Sequence, residues 1–465
     1  MKMTTRILTL VVACCCYLSV YAQEPALTKA EKEQAIQTLS QLMNDFYVFP
    51  EVAKATEEHL LQQWKDGHFA AFNDHESFAD ALTESVQSIN KDKHMRIRAR
   101  RTFVAAPNTP EERIEEQLDR IERSRNANFG FNTVEVLEGN VGYLDLRGFA
   151  GLERAKPLAD ATMALLARTD AVIVDLTKNG GGSPRMVQYL CSFFFDEKVH
   201  LNSLYWRQGD TTEEFWTLDE VGGEKMPDVP LFVMTSERTF SGAEEFSYNM
   251  QTQKRATLVG QTTGGGANPG GTMRINENLF VFIPSGRAIN PITGTNWEGV
   301  GVVPEQKVAE GETYDTTLKL AQQAAENYRN QRKTAQRKML TELNQSCTAY
   351  TSGKSDALIL QNLEACTAER LLSEGDINAM GYEHLLEHKK PQIALAIFKA
   401  NTQLYPNSAN TYDSFAEALM LSNKLEAAVE NYEKAVALAT ANEDGNLELF
   451  QQNLAAAKNK LAEEK

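Results

Sequence analysis

Residues 230–271, PLFVMTSERTFSGAEEFSYNMQTQKRATLVGQTTGGGANPGG, leave the chain few ways to fold. Leu231–Thr235 is a short apolar run of strand length, closed by polar residues 236–238. From Ser241 the pattern becomes helical, with Ala243, Phe246, Tyr248 and Met250 as its apolar positions and two glutamates in the first turn. A second apolar run, residues 256–259, enters a glycine-rich loop. Strand, tight turn, helix and strand predict a parallel crossover unit with Ser241 at the strand-to-helix joint. A hydroxyl there stands beside the free N–H groups of the helix, which suits a nucleophile whose substrate develops an oxyanion. Serine is also a preferred helix N-cap, so the stretch by itself supports either role.

The flanking pattern extends this unit. Residues 141–146 and 152–166 predict a strand and a helix. Residues 171–176, AVIVDL, form a continuous apolar run of the kind buried inside a parallel sheet. The turn TKNGGGS and a helix over 184–195 follow. Successive strand–helix–strand units imply an α/β core. Upstream, residues 27–89 are helical in pattern. Ile36, Leu39, Leu42 and Met43 share one helix face, Pro50 opens a second helix, and Phe78, Leu82 and Val86 mark a third. This helical domain ends at DKHMRIR, where a strand is expected with His94 at its start. Residues 109–125 read as a charged helix or linker. Residues 272–283 read as two strands joined by a turn, and 287–303 as a loop carrying Trp297.

Beyond residue 310 the chain is helical and acidic. Ala394, Phe398, Leu404 and Pro406 recur 34 positions on as Ala428, Tyr432, Leu438 and Thr440. That period resembles the tetratricopeptide helix pair, although only two copies are visible and Thr440 replaces the usual proline. Residues 375–385 are expected to form a helix before them. The expected organisation is a signal peptide over 1–22, a helical domain over 23–125, an α/β core over 126–310, a connecting helix over 311–345 and a helical repeat segment over 346–465.

A formal charge of −16 with no basic stretch to offset it argues against nucleic-acid and anionic-membrane partners. Lys2 and Arg6, an apolar stretch and Val20-Tyr21-Ala22 give the first 22 residues a signal-peptide pattern. The protein is therefore expected to be exported, periplasmic or extracellular. Lipoprotein processing at Cys14 is the second reading, and would leave an apolar tail behind it. No later stretch has the ~20 apolar residues of a membrane span. Of the six cysteines, three fall in the leader, Cys191 reads as a buried thiol, and Cys347 and Cys366 could close a loop as a disulfide. No Cys/His cluster has metal-ligand spacing, so neither a metal nor a cofactor is expected.

An activated serine requires a base, a group to orient that base and oxyanion donors. His59, His68, His75, His200, His384 and His388 fall on helices or polar connections; His94 alone stands at a predicted strand start. Four stretches then resemble the C-terminal processing (tail-specific) serine peptidases, in the branch with the tricorn core and interphotoreceptor retinoid-binding protein. They are Asp92-Lys93-His94, DLTKNGGG over 175–182, TFSGAEEF over 239–246 and NWEGVGVVP over 296–304. The resemblance implies a crotonase- or ClpP-like α/β core behind a helical domain. It implies Ser241 as nucleophile, His94 as general base and then acid, and Glu298 as the acidic member of the network. Backbone N–H groups of Gly242 and of Gly181 or Gly182 would hold the oxyanion. Bacterial tail-specific proteases use a Ser–Lys dyad, but no lysine lies between Arg255 and Arg287 here. Lys178 also stands where the family more often has arginine. A peptide or protein substrate is implied, with a protein partner on the repeats as a further expectation. The rival reading is a non-catalytic binder of a hydrophobic ligand or peptide, since relatives use this fold for carriage.

Overall fold

The computed structural model describes residues 26–100 and 109–464. The leader and Cys14 therefore lie outside the described residues. The chain divides into two compact units, the first ending at Ala325 and the second starting at Glu326.

Three helices, Lys29–Phe46, Pro50–Lys65 and His75–Asn90, open the first unit. Thr28 and Glu31 form a reciprocal cap on the first, Pro50 sits in the opening turn of the second, and Asp74 caps the third. Their apolar faces meet in a core of Ile36, Leu39, Met43, Leu60, Phe78, Leu82 and Val86. The helices do not close that core by themselves. The antiparallel strands Gly270–Arg274 and Leu279–Pro284, with Ile97–Ala99 on the edge, contribute Ile97, Leu279, Val281 and Ile283 to the same cluster. The predicted hairpin over 272–283 is thus present, and it completes a core begun more than 170 residues earlier. His94 lies not on the strand but in the turn before it, where the Met95 N–H bonds to the Asp92 carbonyl.

The α/β core is a six-stranded sheet in the order Gln306–Lys307, Thr257–Gly260, Leu231–Thr235, Ala171–Asp175, Val141–Leu146 and Phe131–Leu137. All neighbours run parallel except the last pair. Helices Leu152–Leu166, Pro184–Ser192 and Gly242–Thr252 fall between these strands in the chain, as the alternating pattern predicted. Ala321 and Ala325, early in the helix Thr313–Thr348, pack against Tyr143, Ile173, Phe232 and Val259 of the sheet. The connecting helix expected to leave the core therefore covers part of it.

A third sheet of Gly286–Ile289, His200–Trp206 and Thr211–Trp216 had no counterpart in the sequence reading. Residues 287–303 are accordingly part strand. His200 is a strand residue rather than a connection, with its ring stacked on Trp216 at 4.5 Å.

In the second unit, helices Pro391–Leu404 and Leu425–Ala441 begin 34 residues apart, each followed by a partner, Ala409–Leu421 and Leu447–Glu463. The recurrent positions Ala394 and Ala428, and Phe398 and Tyr432, are all buried. Before them, Glu374–Tyr382 continues as a π-helical turn, Glu383–Glu387. Cys347 and Cys366 are free thiols within one apolar core.

Candidate active site

Two strands of the central sheet, Ala171–Asp175 and Leu231–Thr235, end side by side, and their following turns are laced together. The Ser236 hydroxyl donates to the Thr177 carbonyl (2.6 Å), the Thr239 hydroxyl to the Leu176 carbonyl (2.8 Å), and the Phe240 N–H to the Asn179 carbonyl (3.0 Å). The chain then reverses sharply into the helix Gly242–Thr252. Ser241 takes φ 53° and ψ −121° at this joint. An ordinary N-cap is extended with negative φ. A non-glycine residue held at positive φ costs about 1–3 kcal/mol, which the surrounding structure must offset.

The neighbouring glycine turn fits only without side chains. Gly181 has φ 99°, and a Cβ there would lie 2.7 Å from the Gly242 nitrogen and 2.8 Å from Ser241 Cβ. A Cβ on Gly242 would come within 3.1 Å of the Gly182 nitrogen. The two expected oxyanion positions therefore abut. They are not equivalent, however. The Gly181 N–H is donated to Asn179 Oδ1 (2.8 Å), and the Asn179 amide donates in turn to the Leu146 carbonyl. Of the alternatives Gly181 and Gly182, the second leaves its N–H pointing to no acceptor among the described residues, as does Gly242. Asn179 and Asp175 anchor this turn, while Lys178 is exposed.

Glu244, fully buried in the first turn of the helix, ties the joint to the glycine-rich loop. It accepts hydrogen bonds from the N–H groups of Ser241 (2.8 Å), Gly265 (2.6 Å) and Gly266 (2.9 Å) and from the Thr263 hydroxyl. Burial raises its carboxyl above the ordinary carboxylate range, and these four donors offset only part of that rise. Glu244→Ala would leave the donors unpaired in the interior, each costing about 1–3 kcal/mol. A fall of several kcal/mol in unfolding free energy is expected, read from chemical denaturation. An unchanged midpoint would show that the loop is held by other contacts.

The same loop carries the second cluster. Trp297, 2% exposed, donates its indole N–H to the Gly266 carbonyl (2.8 Å), and Glu298 Oε2 accepts the Ala267 N–H (2.6 Å). Asp92, 1% exposed, accepts from the His94 N–H (3.0 Å), the Asn268 amide (3.0 Å) and the Tyr47 hydroxyl (3.4 Å). Asp92, His94 and Glu298 each present a polar atom within 4.8 Å of the others. Such a convergence could also hold a cation, which an expectation based on local Cys/His spacing did not foresee. His94 Nδ1 lies 3.8 Å from Asp92 Oδ1, and both Nδ1 and Glu298 Oε1 are buried without a hydrogen-bond partner.

Burial, followed by the nearby Arg96 charge, lowers the His94 pKa to about 4. The ring is therefore neutral near pH 7, and its contact with Asp92 is not an ion pair there. Burial first, then the Asp92 charge, raises Glu298 to about 8, so its carboxyl keeps its proton at neutral pH. The two clusters meet at a cleft of about 930 Å³ lined by both Ser241 and His94. The Phe240 ring, one residue before Ser241, lies 4.5 Å from the His94 ring, and Phe282 stacks on the imidazole at 5.6 Å. Among the described residues no hydrogen bond joins the Ser241 hydroxyl to His94.

Residues 140–308 match the model of peptidase family S41, and residues 21–133 match that of the N-terminal domain of this peptidase in eukaryotic IRBP. The chain carries a peptidase family S41 domain. Solved structures are similar at low identity. A candidate peptidase of Parabacteroides merdae is 16% identical, with a TM-score of 0.46, covering 62% of this chain and 96% of its own. Mature CPAF complexed with lactacystin is 12% identical, with a TM-score of 0.45 and coverage of 64% and 99%. The photosystem II D1 C-terminal processing protease is 13% identical, with a TM-score of 0.39 and coverage of 61% and 94%.

The local sequence pattern marked none of Asp92, Asn179, Glu244 and Asn268 as a site residue. Glu244 was visible as part of the stretch 239–246 and as an acidic residue in a first helical turn, where a carboxylate is favoured by the helix dipole. Nothing in its local context shows that four donors converge on it. Asp92 was quoted within the histidine motif, yet its burial against Tyr47 and Asn268 depends on segments far away in the chain.

Proposed function

We propose that this S41-domain protein is an exported serine endopeptidase in which Ser241 attacks the peptide carbonyl and His94 accepts the hydroxyl proton. The reading is carried by Ser241, strained at a strand-to-helix joint beside two uncommitted backbone N–H groups, in a cleft shared with a neutral buried histidine. In the acylation step the Ser241 Oγ–C bond forms and the carbonyl oxygen becomes an oxyanion facing the N–H groups of Gly182 and Gly242. The imidazolium of His94 then protonates the departing amine as the C–N bond breaks. Water, deprotonated by the same ring, hydrolyses the acyl-enzyme. Asp92 fixes the backbone of His94 and lies with Glu298 beside the imidazole, and Glu244 keeps the nucleophile turn against the glycine loop. Among the described residues no helix is long and apolar enough to cross a membrane. Export rests on the leader pattern over 1–22.

The test is covalent labelling by a serine-directed phosphonofluoridate, with the adduct located by mass spectrometry. Modification of the peptide containing Ser241 is expected. The missing Ser241–His94 hydrogen bond and the aromatic cleft walls favour the second reading, a binder of apolar ligands. Failure to label, together with ligand binding that Ser241→Ala leaves unchanged, would select that reading.

The helical pairs of the second unit are proposed to be tetratricopeptide-like and to engage a peptide or protein partner. The structural division suggests cutting after Ala325, which retains the helical turns that cover the sheet. A chain ending there should stay soluble and cleave short peptides, with at least several-fold weaker turnover of folded or long substrates. An insoluble product would show that the second unit completes the first.

A further inference from the structure

The chain as a whole is strongly acidic, yet the cleft at Ser241 is lined by Lys93, Arg96, Arg98, Arg185 and Arg238. Arg185 is neutralised by an ion pair with Glu213 and lies over the Phe215 ring. Lys93 donates to the Gly264 carbonyl and Arg96 donates from Nε to the Lys93 carbonyl, contacts that orient both side chains without cancelling their charge. Arg98 and Arg238 have no carboxylate partner among the described residues. Against these four cations the lining offers Glu237 and the buried Glu245, whose carboxyl burial pushes up to about 7. A basic cleft in an acidic molecule focuses anionic ligands where the rest of the surface repels them.

The arginines are also arranged. Arg96 and Arg98 lie two residues apart and line the cleft, while Ile97 between them is buried in the helical core. On the paired strand Phe280 sits opposite Arg98, Phe282 bonds to the Arg96 carbonyl, and Val281 between them is also buried. One face of this small sheet is thus core, and the other is a cleft wall of two arginines and two phenylalanines. Alternate residues of a strand are about 6–7 Å apart, as are alternate residues of an extended peptide. The wall begins at the base itself, since Phe282 stacks on His94. Because the imidazole must deliver its proton to the leaving amine, the segment against this wall is the one that departs.

Resting on the peptidase reading above, we propose that the cleft selects peptides with acidic side chains at alternate positions just beyond the cleaved bond. Their carboxylates would be held by Arg96 and Arg98, and the aliphatic stems would lie against Phe280 and Phe282. Charge-assisted contacts of a guanidinium with a carboxylate are about twice as strong as neutral ones.

The experiment uses the full chain carrying Ser241→Ala, which binds without turnover, and fluorescein-labelled peptides of one length read by anisotropy. With amidated C-termini, a peptide with glutamate at two alternate positions should bind about tenfold tighter than its glutamine counterpart, and a lysine counterpart weaker still. The preference should shrink as salt is raised. Adding Arg96→Gln and Arg98→Gln should abolish it, and Arg185→Gln, whose charge is already paired, should not; thermal melting checks that each variant is folded. Equal affinity for the glutamate, glutamine and lysine peptides would overturn the proposal. So would tight binding of a glutamine peptide with a free C-terminus when the amidated glutamate peptide binds weakly, which would assign the arginines to a terminal carboxylate. Because binding is measured without hydrolysis, an inactive wild-type enzyme that still prefers acidic peptides would refute only the peptidase reading. An active enzyme indifferent to charge would refute only this one.

Discussion

Ser241→Ala is expected to lower peptide hydrolysis by three orders of magnitude or more and to leave the fold intact. Removing a nucleophile eliminates the acyl-enzyme route altogether, and only the background from binding and oxyanion stabilisation remains. Apart from a reciprocal cap with the Glu244 N–H, the hydroxyl carries none of the hydrogen bonds that hold the joint. Those belong to the Ser241 N–H, the Glu244 carboxylate and the laced turns around Asn179 and Thr239. The melting temperature should therefore move by no more than a few degrees. Ser241→Gly should be equally inactive yet more stable by about 1 kcal/mol, because glycine adopts φ 53° without strain. An alanine variant retaining wild-type turnover would remove Ser241 from the chemistry and take the proposed mechanism with it.

The second large effect concerns the proposed base. His94→Ala should cost about 10²–10⁴ in kcat/KM, the usual contribution of a positioned proton acceptor. The pH profile of the wild type should be unusual for a histidine. A base works in its neutral form, so activity is present above the His94 pKa and is lost as pH falls through about 4. An exposed imidazole would instead fail near 6.5.

Glu298 adds a second signature. Its folded pKa, about 8, lies above its ordinary value, so the native state keeps a proton that the unfolded chain gives up near 4.5. By linkage, that stabilisation is fully present below about 4.5 and is lost as pH rises towards 8. Glu298→Gln, which resembles the protonated form, should keep activity at pH 7 within several-fold. Its melting temperature should exceed that of the wild type by a margin that widens from pH 5 to pH 8. A rate limb near 6.5, or a thousandfold loss in Glu298→Gln at pH 7, would show that an ionised Glu298 drives the base.

Much of the candidate site's scaffold was legible because it is local. The apolar runs 171–176 and 231–235, the helical spacing after Ser241 and the glycines at 180–182 depend on dihedral preferences and on a residue's near neighbours. The 34-residue recurrence of Ala394 and Phe398 was legible for the same reason, since each copy repeats one burial pattern. The hairpin His200–Trp216 was not, because its alternation is broken by polar residues such as Asn202 and Ser203, which become buried only in the fold.

The sequence alone therefore determined where strands turn into helices and which serine stands at such a joint. Tertiary structure decided which N–H groups remain open to an oxyanion, Gly182 rather than Gly181, because Asn179 reaches back to take one of them. It decided that the hairpin Gly270–Pro284 completes the helical core and, with its other face, walls the cleft. It also decided the protonation of His94 and Glu298, whose partners come from segments some two hundred residues apart. Periodicity is set by a residue's neighbours along the chain. Desolvation and charge coupling are set by whatever long-range folding brings within a few ångströms.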